Sequence, residues 1–352
     1  MPAPGPANGG RFAGAMVSTR SREPLATIPP GDPVTSHPAG RATPGREYLM
    51  GVSAILFACV LWATTGVSAT FAPEVGAAAI GAAAMGIGGL LQALIAVRPI
   101  LRHLGALRLQ WHWLLLGAMA VAVYPLAFYA SMRLAGVTIG TVVSLGSAPL
   151  LSAVIEMVLD GTRVSMRWGC GAVLGLLGMA LLSLAEGSGA SAVLAPDVTT
   201  GVWLGLLAGL SYALYSWAAR RLMQRGIPAR AAMGAVFGGG GLLLMPVLFA
   251  TGAPFLASWN NAAVGIYMAL VPMFLGYVCF GYGLARVQAS TATTVTLLEP
   301  VFAAGLAAVV IGERLPALGW LGVALILACL VCITWPGRVR ARAPAPVSVP
   351  AG

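Results

Sequence analysis

From residue 47 to residue 336 the chain alternates long apolar stretches with short polar gaps. A helix that crosses a lipid bilayer needs about 20 mainly apolar residues. The length and spacing of the apolar stretches therefore predict ten transmembrane helices joined by short loops, an all-α polytopic membrane protein. We place the ten spans at residues 49–70, 77–97, 112–132, 137–157, 166–185, 200–220, 229–250, 262–283, 289–310 and 316–335.

The composition supports this class of protein. Of 352 residues, 59% are hydrophobic and only 9% are charged, whereas an average soluble domain has about 25% charged residues. A soluble enzyme, a nucleic-acid-binding protein and a disordered protein are therefore disfavoured. The segments at residues 1–46 and 337–352 are rich in proline, alanine and arginine and lack a long apolar run. They are predicted to be disordered cytoplasmic tails.

The distribution of arginine predicts the orientation of the spans. All 20 basic residues are arginines. If the N-terminus is cytoplasmic, only Arg133 and Arg314 fall on the outer side. Basic residues collect in cytoplasmic loops, so both termini are predicted to be cytoplasmic. The formal charge of +10 then reflects topology, and no nucleic-acid partner is expected.

The two halves of the chain resemble each other in sequence. A nearly constant interval relates identical residues: Gly51 to Gly201, Pro149 to Pro300 and Gly171 to Gly322. Five spans in each copy is an odd number, so the second copy must enter the membrane with opposite polarity. Inverted repeats of this kind are common in secondary transporters. We expect one five-helix repeat at residues 47–186 and the other at residues 200–336.

Four prolines interrupt spans at roughly matching places in the two halves: Pro125, Pro149, Pro272 and Pro300. A proline removes a backbone donor, and in lipid the freed groups are tolerated only where they face protein or a cavity. Paired interruptions indicate a central binding site, so we assign these prolines as gating or kink positions. The alternative is that they bend the helices only for packing.

Glu299 precedes Pro300 near the middle of the ninth predicted span. An unpaired carboxylate at this depth is costly, and no arginine lies at a comparable depth. We therefore expect Glu299 to carry a proton, and to act in proton coupling or in binding a substrate ammonium. The alternative is a protonated glutamic acid that only bonds the backbone loosened by Pro300. Glu156, near the cytoplasmic end of the fourth span, is expected to reach water.

Several polar-tipped side chains within the spans are candidates for a cavity that contacts both apolar and polar parts of a small metabolite. They are Trp62, Tyr124, Ser144, Tyr212, Tyr277 and Thr296. For the hydroxyl groups the alternative is hydrogen bonding between helices. The five cysteines lie in apolar runs and the three histidines lie in a tail or at span ends. No metal site, cofactor or catalytic grouping is predicted, and the chain is not expected to be an enzyme.

Short motifs in the second half resemble the EamA-type domain of the drug/metabolite transporter superfamily: Leu298-Glu299-Pro300, Gly312-Glu313-Arg314-Leu315 and Gly319-Trp320-Leu321-Gly322. The first half resembles it more loosely, through Leu61-Trp62-Ala63 and Ser147-Ala148-Pro149. The resemblance implies a ten-helix inner-membrane carrier with two inverted five-helix repeats and a central cavity. Many bacterial members export amino acids or related metabolites. Many relatives have an arginine in the second span near the position of Ala84, and this chain has none there.

Taken together, the sequence predicts a secondary transporter of the bacterial inner membrane. We expect it to export a small metabolite, with an amino acid or related compound as the first choice, by alternating access driven by protons or by exchange. Drug efflux or metabolite uptake by the same fold stays open, and a scaffold or membrane enzyme is less favoured. The expected partners are a small-molecule substrate, the lipid bilayer and protons, with the chain acting as a monomer or homodimer.

Overall fold

The structure is a computed structural model that describes residues 44–135, 137–187, 197–310 and 316–334. Every regular element in these ranges is helical. The two predicted tails lie outside the described residues, except that the first helix begins at Pro44. The motif residues 312–315, with Arg314, also lie outside them.

Ten long helical stretches in the described residues follow the predicted spans. They are α1 Pro44–Thr70, α2 Ala77–Ile95, α3 Trp111–Ala135, α4 Val137–Asp160, α5 Met166–Gly187, α6 Val198–Gln224, α7 Ala229–Thr251, α8 Trp259–Leu284, α9 at residues 289–310 and α10 Ala317–Thr334. Two short helices, Val97–Arg102 and Leu104–Leu109, lie between α2 and α3.

Seven of the described helices are long and apolar enough to cross a membrane, namely α1 to α4 and α6 to α8. The apolar parts of α5 and α10, Met166–Leu182 and Ala317–Ile333, are shorter. α9 consists of Ala289–Val295, a 3-10 turn at Thr296–Leu298, and Glu299–Val310. An all-helical polytopic membrane protein is therefore confirmed, while the count of ten spans stays a prediction.

The packing between the first half (α1–α5) and the second half (α6–α10) is reciprocal. α1 packs against α8 and α9, and α6 packs against α3 and α4. The second helices of the two halves, α2 and α7, pack together, as do the fifth helices, α5 and α10. Each half thus places its first helix against the third and fourth helices of the other. The interior of the bundle consequently lies between the halves.

Close contacts between the halves occur where the helices have small residues. A β-carbon added at Gly209 of α6 would lie 2.7 Å from the Ser144 carbonyl oxygen of α4. One added at Gly178 of α5 would lie 2.7 Å from the Gly322 carbonyl oxygen of α10. Small residues allow helix backbones in membranes to approach this closely. Van der Waals packing between backbones is therefore one of the interactions that hold the two halves together.

The predicted proline interruptions differ between the halves. Pro272 lies in a π-helical segment of α8, Ala269–Leu275, and Pro300 follows the 3-10 turn of α9. Pro125 and Pro149 lie inside uninterrupted α-helix in α3 and α4. A single proline removes only one ladder hydrogen bond, so the rest of a long helix can continue around it. A second π-helical segment, Ala82–Ile87 in α2, packs against the one in α8; it contains no proline.

Candidate functional site

Aromatic side chains from both halves meet in the interior of the bundle. The aromatic cluster comprises Trp62, Tyr124, Tyr212, Tyr215, Phe237, Tyr277 and Phe280. The ring centroids of Trp62 and Tyr277 are 4.8 Å apart, those of Tyr124 and Tyr212 are 5.5 Å apart, and those of Phe237 and Tyr277 are 4.5 Å apart. These distances suit favourable edge-to-face and offset contacts. The cluster joins α1, α3, α6, α7 and α8.

Four polar tips of the cluster, those of Trp62, Tyr212, Tyr215 and Tyr277, are hydrogen-bonded to one another or to α8 and α9. The Tyr212 hydroxyl donates to Thr296 Oγ1 at 3.1 Å, and Thr296 Oγ1 donates to the Thr293 carbonyl oxygen at 2.8 Å. The Tyr215 and Tyr277 hydroxyl oxygens are 2.9 Å apart. The structure thus brings five of the predicted residues into one connected group: Trp62, Tyr124, Tyr212, Tyr277 and Thr296.

Trp62 is held by the altered geometry of α8. Its indole Nε1 donates to the carbonyl oxygen of Pro272 at 2.9 Å. Hydrogen bonding is displaced here: the Gly276 N–H bonds the carbonyl oxygens of Val271 and Met273 and not that of Pro272, its ordinary helical partner. A carbonyl oxygen in such a segment is available to a partner from another helix. The break in α8 therefore fixes the position of the Trp62 ring beside Tyr277.

Glu299 is half-buried and follows a stretch of α9, residues 289–298, that is completely buried. No residue in the part of the chain that the structure describes donates a hydrogen bond to its carboxyl group. The ion pairs found there, Arg221 with Asp160 and Arg286 with Glu47, do not involve it. Three residues earlier on α9, Thr296 accepts the hydrogen bond of the Tyr212 hydroxyl, so Glu299 lies one helical turn from that contact. Glu299 is thus an unpaired acid beside the aromatic cluster.

Ser144 has a different environment from the other predicted hydroxyls. It is fully buried on α4, and its Oγ has no hydrogen-bond partner among the described residues. Its backbone lies against Gly209 of α6. Ser144 therefore belongs to the contact between α4 and α6, and no hydrogen bond connects it to the aromatic cluster within the described ranges.

Three members of the cluster were not predicted from the sequence: Tyr215, Phe237 and Phe280. Tyr215 and Phe280 each lie three positions after a predicted residue, Tyr212 and Tyr277, and residues at that spacing share a helix face. This signal could have identified them. Phe237 has no polar tip and lies within an apolar run, so the sequence gives no indication that it belongs to the cluster.

Glu156 is buried, and the expectation that it reaches water is wrong. Only 4% of the residue is exposed. Its carboxylate accepts hydrogen bonds from the backbone N–H groups of Ala289 at 2.7 Å and Ser290 at 3.4 Å, and from the Ser290 hydroxyl. The first N–H groups of a helix lack partners within that helix. Glu156 of α4 supplies the acceptors for the start of α9, and this explains its burial.

Other polar contacts join the helices at this end of the bundle, which we call the Glu156 end; here α4, α6 and α8 finish and α9 begins. Asp160 accepts a hydrogen bond from Trp217 Nε1 at 2.8 Å and forms an ion pair with Arg221 at 2.8 Å. Arg220 donates to the carbonyl oxygens of Leu284, at 2.6 Å, and Val287. These contacts fasten α6 to α4, α8 and the α8–α9 loop.

Comparisons with known proteins agree with this architecture. The EamA-like transporter family matches the chain twice, at residues 49–184 and 199–335. The chain is 32% identical to an uncharacterized transporter, YwfM, of Bacillus subtilis over 83% of this chain and 96% of that protein. It is 28% identical to a probable terminal-alkyne amino-acid exporter of Streptantibioticus cattleyicolor over 81% of this chain and 94% of that protein.

A solved crystal structure shares the fold. It superimposes with a TM-score of 0.64 at 20% identity, over 81% of this chain and 95% of its own. The relatives named above are described as transporters, which supports a protein that is not an enzyme. Among the described residues, no group of three histidine, cysteine or acidic side chains could hold a metal ion. From the two family matches and the reciprocal helix packing, we conclude that the chain belongs to the EamA-like transporter family.

Proposed function

We propose that this protein is a secondary transporter of the bacterial inner membrane that exports an amino acid or a related small metabolite by alternating access. The proposal includes ten spans, an inverted repeat and cytoplasmic termini. The distribution of arginine supports that orientation. The similarity to a probable amino-acid exporter supports the direction of transport and the class of substrate.

The observation that carries the proposal is the unpaired carboxyl group of Glu299 beside the aromatic cluster. An acid inside a membrane protein is costly unless it is paired, hydrated or protonated. The described residues supply no partner for it, so a ligand that binds Glu299 reversibly during transport accounts for the presence of the acid. A proton or the ammonium group of a substrate has the required charge. The rings of Trp62 and Tyr277 in the neighbouring aromatic cluster offer apolar contact and attraction for a cation.

The proton and the substrate ammonium compete for the carboxyl group of Glu299, and this competition couples proton movement to substrate movement. When Glu299 releases its proton to the cytoplasm, the carboxylate binds the substrate ammonium. After the protein opens outward, the substrate leaves and an external proton takes its place. Each cycle then moves one proton inward and one ammonium group outward. A pH difference of one unit corresponds to about 1.4 kcal/mol, which supports about a tenfold substrate gradient.

Counterflow in proteoliposomes tests the proposal. Vesicles containing the purified full-length chain are preloaded with single unlabelled amino acids of aliphatic, aromatic, cationic and acidic type, and the uptake of the labelled form is followed. We expect accumulation with one subset of the panel. The matched control is the N-acetylated form of each active compound, which keeps the side chain and lacks the ammonium group.

Loss of counterflow on N-acetylation would support recognition of the ammonium group by Glu299. Equal counterflow with the N-acetylated compounds would contradict it. Parallel vesicles loaded with organic-cation drugs test the alternative of drug efflux. Counterflow with those drugs and none with amino acids would overturn the proposed substrate class.

A further inference from the structure

A cavity lies at the Glu156 end of the bundle. It has a volume of about 230 Å³ and is lined by the start of α1, the α4–α5 loop, the start of α9 and the end of α10. Its lining is mainly polar and includes Tyr48, Arg163, Arg167, Trp168 and Ser290. None of these residues belongs to the aromatic cluster, so the proposed transport cycle does not explain the cavity.

The cavity carries positive charge that the described residues do not neutralise. Arg163 and Arg167 are exposed, and neither forms an ion pair within the described ranges. Glu156 also lines the cavity, but its carboxylate is engaged by the start of α9 and lies within electrostatic reach of Arg220. Two guanidinium groups therefore remain available to an anion.

A buried donor in the cavity lining also lacks a partner. The indole Nε1 of Trp168 is inaccessible to solvent and has no hydrogen-bond acceptor in the described part of the chain. A buried donor without an acceptor is unfavourable, and an anion oxygen is a strong acceptor for such a group. Trp168 lines the same cavity as the two arginines, so its N–H is a third group that an anion would satisfy after a small movement of the indole ring.

Two exposed apolar residues are sequence neighbours of residues that line the cavity. Met166 is 85% exposed and Leu49 is 54% exposed, and both adjoin residues of the lining in sequence. A small soluble anion gains nothing from these side chains, whereas the acyl chains of a lipid would cover them. The arginine distribution predicts that this end faces the cytoplasmic leaflet. Anionic lipids are found there, and basic pockets between transmembrane helices on that side bind their headgroups.

We propose that this cavity binds the phosphate headgroup of an anionic phospholipid. Arg163 and Arg167 contact the phosphate oxygens, Trp168 donates its N–H, and the acyl chains lie on Met166 and Leu49. The lipid spans the ends of α1, α4, α9 and α10, which belong to different halves. This site is separate from substrate binding, and its test does not depend on transport.

The test uses the purified full-length chain in neutral detergent. It is titrated with dioctanoyl phosphatidylglycerol, and binding is measured from the shift in the thermal unfolding midpoint, which a ligand of the folded state raises. Dioctanoyl phosphatidylcholine, inorganic phosphate and glycerol 3-phosphate are the comparison probes. We expect a concentration-dependent rise with phosphatidylglycerol and none with the others at the same concentrations.

Variants locate the binding site. Replacing both arginines (Arg163→Gln with Arg167→Gln) should weaken phosphatidylglycerol binding about 30-fold, because each basic residue near the surface contributes about 1 kcal/mol. Trp168→Phe keeps the ring and removes the donor, and should weaken binding about tenfold. The matched control is Arg98→Gln with Arg102→Gln, two exposed arginines at the same end that do not line the cavity; its binding should be unchanged.

Three results would overturn the proposal. Equal stabilisation by phosphatidylcholine would show that the headgroup charge is not recognised. Equal stabilisation by inorganic phosphate would make the ligand a soluble anion. An equal loss of phosphatidylglycerol binding in the Arg98→Gln, Arg102→Gln control would show that the lipid is attracted to the basic surface in general and not to this cavity. If the double variant does not fold, Trp168→Phe and the single change Arg163→Gln decide between the same outcomes.

Discussion

Two glutamates inside the helix bundle have opposite surroundings: Glu156 of α4, which contacts the start of α9, and Glu299, which lies within α9. Glu156 meets the first residues of α9, where the N–H groups of Ala289 and Ser290 donate to its carboxylate and leave it 4% exposed. Glu299 lies further along the same helix, half-buried, and receives no hydrogen bond from the described residues. Each carboxyl group is costly to bury, but only one has its partners built into the fold.

This difference separates a structural acid from a candidate functional one. A carboxylate that satisfies buried N–H groups stabilises one conformation, because moving it would leave those donors without acceptors. A carboxyl group without fixed partners can accept and release a proton or a cation without breaking the fold. We therefore expect changes at Glu156 to alter stability first, and changes at Glu299 to alter transport first.

The largest effect is expected for Glu299→Gln. Glutamine keeps the size of the side chain but holds neither a proton nor a negative charge. Substrate uptake driven by a pH gradient in proteoliposomes should fall about a hundredfold, comparable to the loss of one partner of a buried charge pair. The unfolding midpoint in detergent should remain unchanged. Wild-type uptake rates across the pH range would contradict the role of Glu299, and Glu156→Gln in the same assay is the matched control.

The next largest effect is expected for Glu156→Ala. The change leaves the N–H groups of Ala289 and Ser290 buried without acceptors, at a cost of about 2–4 kcal/mol in the free energy of unfolding. Glu156→Gln keeps one acceptor oxygen and should lose about half as much. Chemical unfolding in detergent measures both. An unchanged unfolding free energy for the alanine variant would show that water reaches these N–H groups and that the cap is dispensable.

The smallest effect is expected for Tyr212→Phe. The variant loses one hydrogen bond to Thr296 Oγ1, which still donates to the Thr293 carbonyl oxygen, so stability should fall by only about 1 kcal/mol. The phenyl ring preserves the contacts with Tyr124 and Tyr215. Counterflow with the best substrate should persist at a reduced rate. A complete loss of counterflow with normal stability would instead place the Tyr212 hydroxyl in direct contact with the substrate.

The helices were predictable because their signal is local. Apolar stretches of the sequence mark all ten helical positions, seven of them with helices long enough to cross a membrane, and the Leu298-Glu299-Pro300 motif indicates the family. The aromatic cluster was partly predictable, since Trp62, Tyr124, Tyr212 and Tyr277 stand out as polar-tipped rings within apolar spans. Sequence reasoning alone therefore found four of the five polar-tipped rings of the aromatic cluster and missed Tyr215.

The partners of these groups were not predictable. The acceptors that Glu156 offers to Ala289, and the carbonyl oxygen of Pro272 that receives the Trp62 N–H, join residues far apart in the chain. Such contacts depend on how helices pack, which hydropathy does not determine. The π-helical segment of α2, Ala82–Ile87, contains only alanine, methionine, glycine and isoleucine. No residue type in this segment predicts a π-helical turn instead of an α-helical turn.

The reciprocal packing of the two halves has a consequence for how the chain is assembled. The face of α1 that meets α8 and α9, and the face of α6 that meets α3 and α4, are each covered by the other half. Among the described residues, the main cluster of buried apolar side chains contains members of both halves. Each half therefore depends on the other to bury these helix faces, as the two subunits of an obligate heterodimer do. If the chain is divided between α5 and α6, we expect the two fragments to assemble into the folded protein when they are synthesised together. Each fragment made separately should not fold.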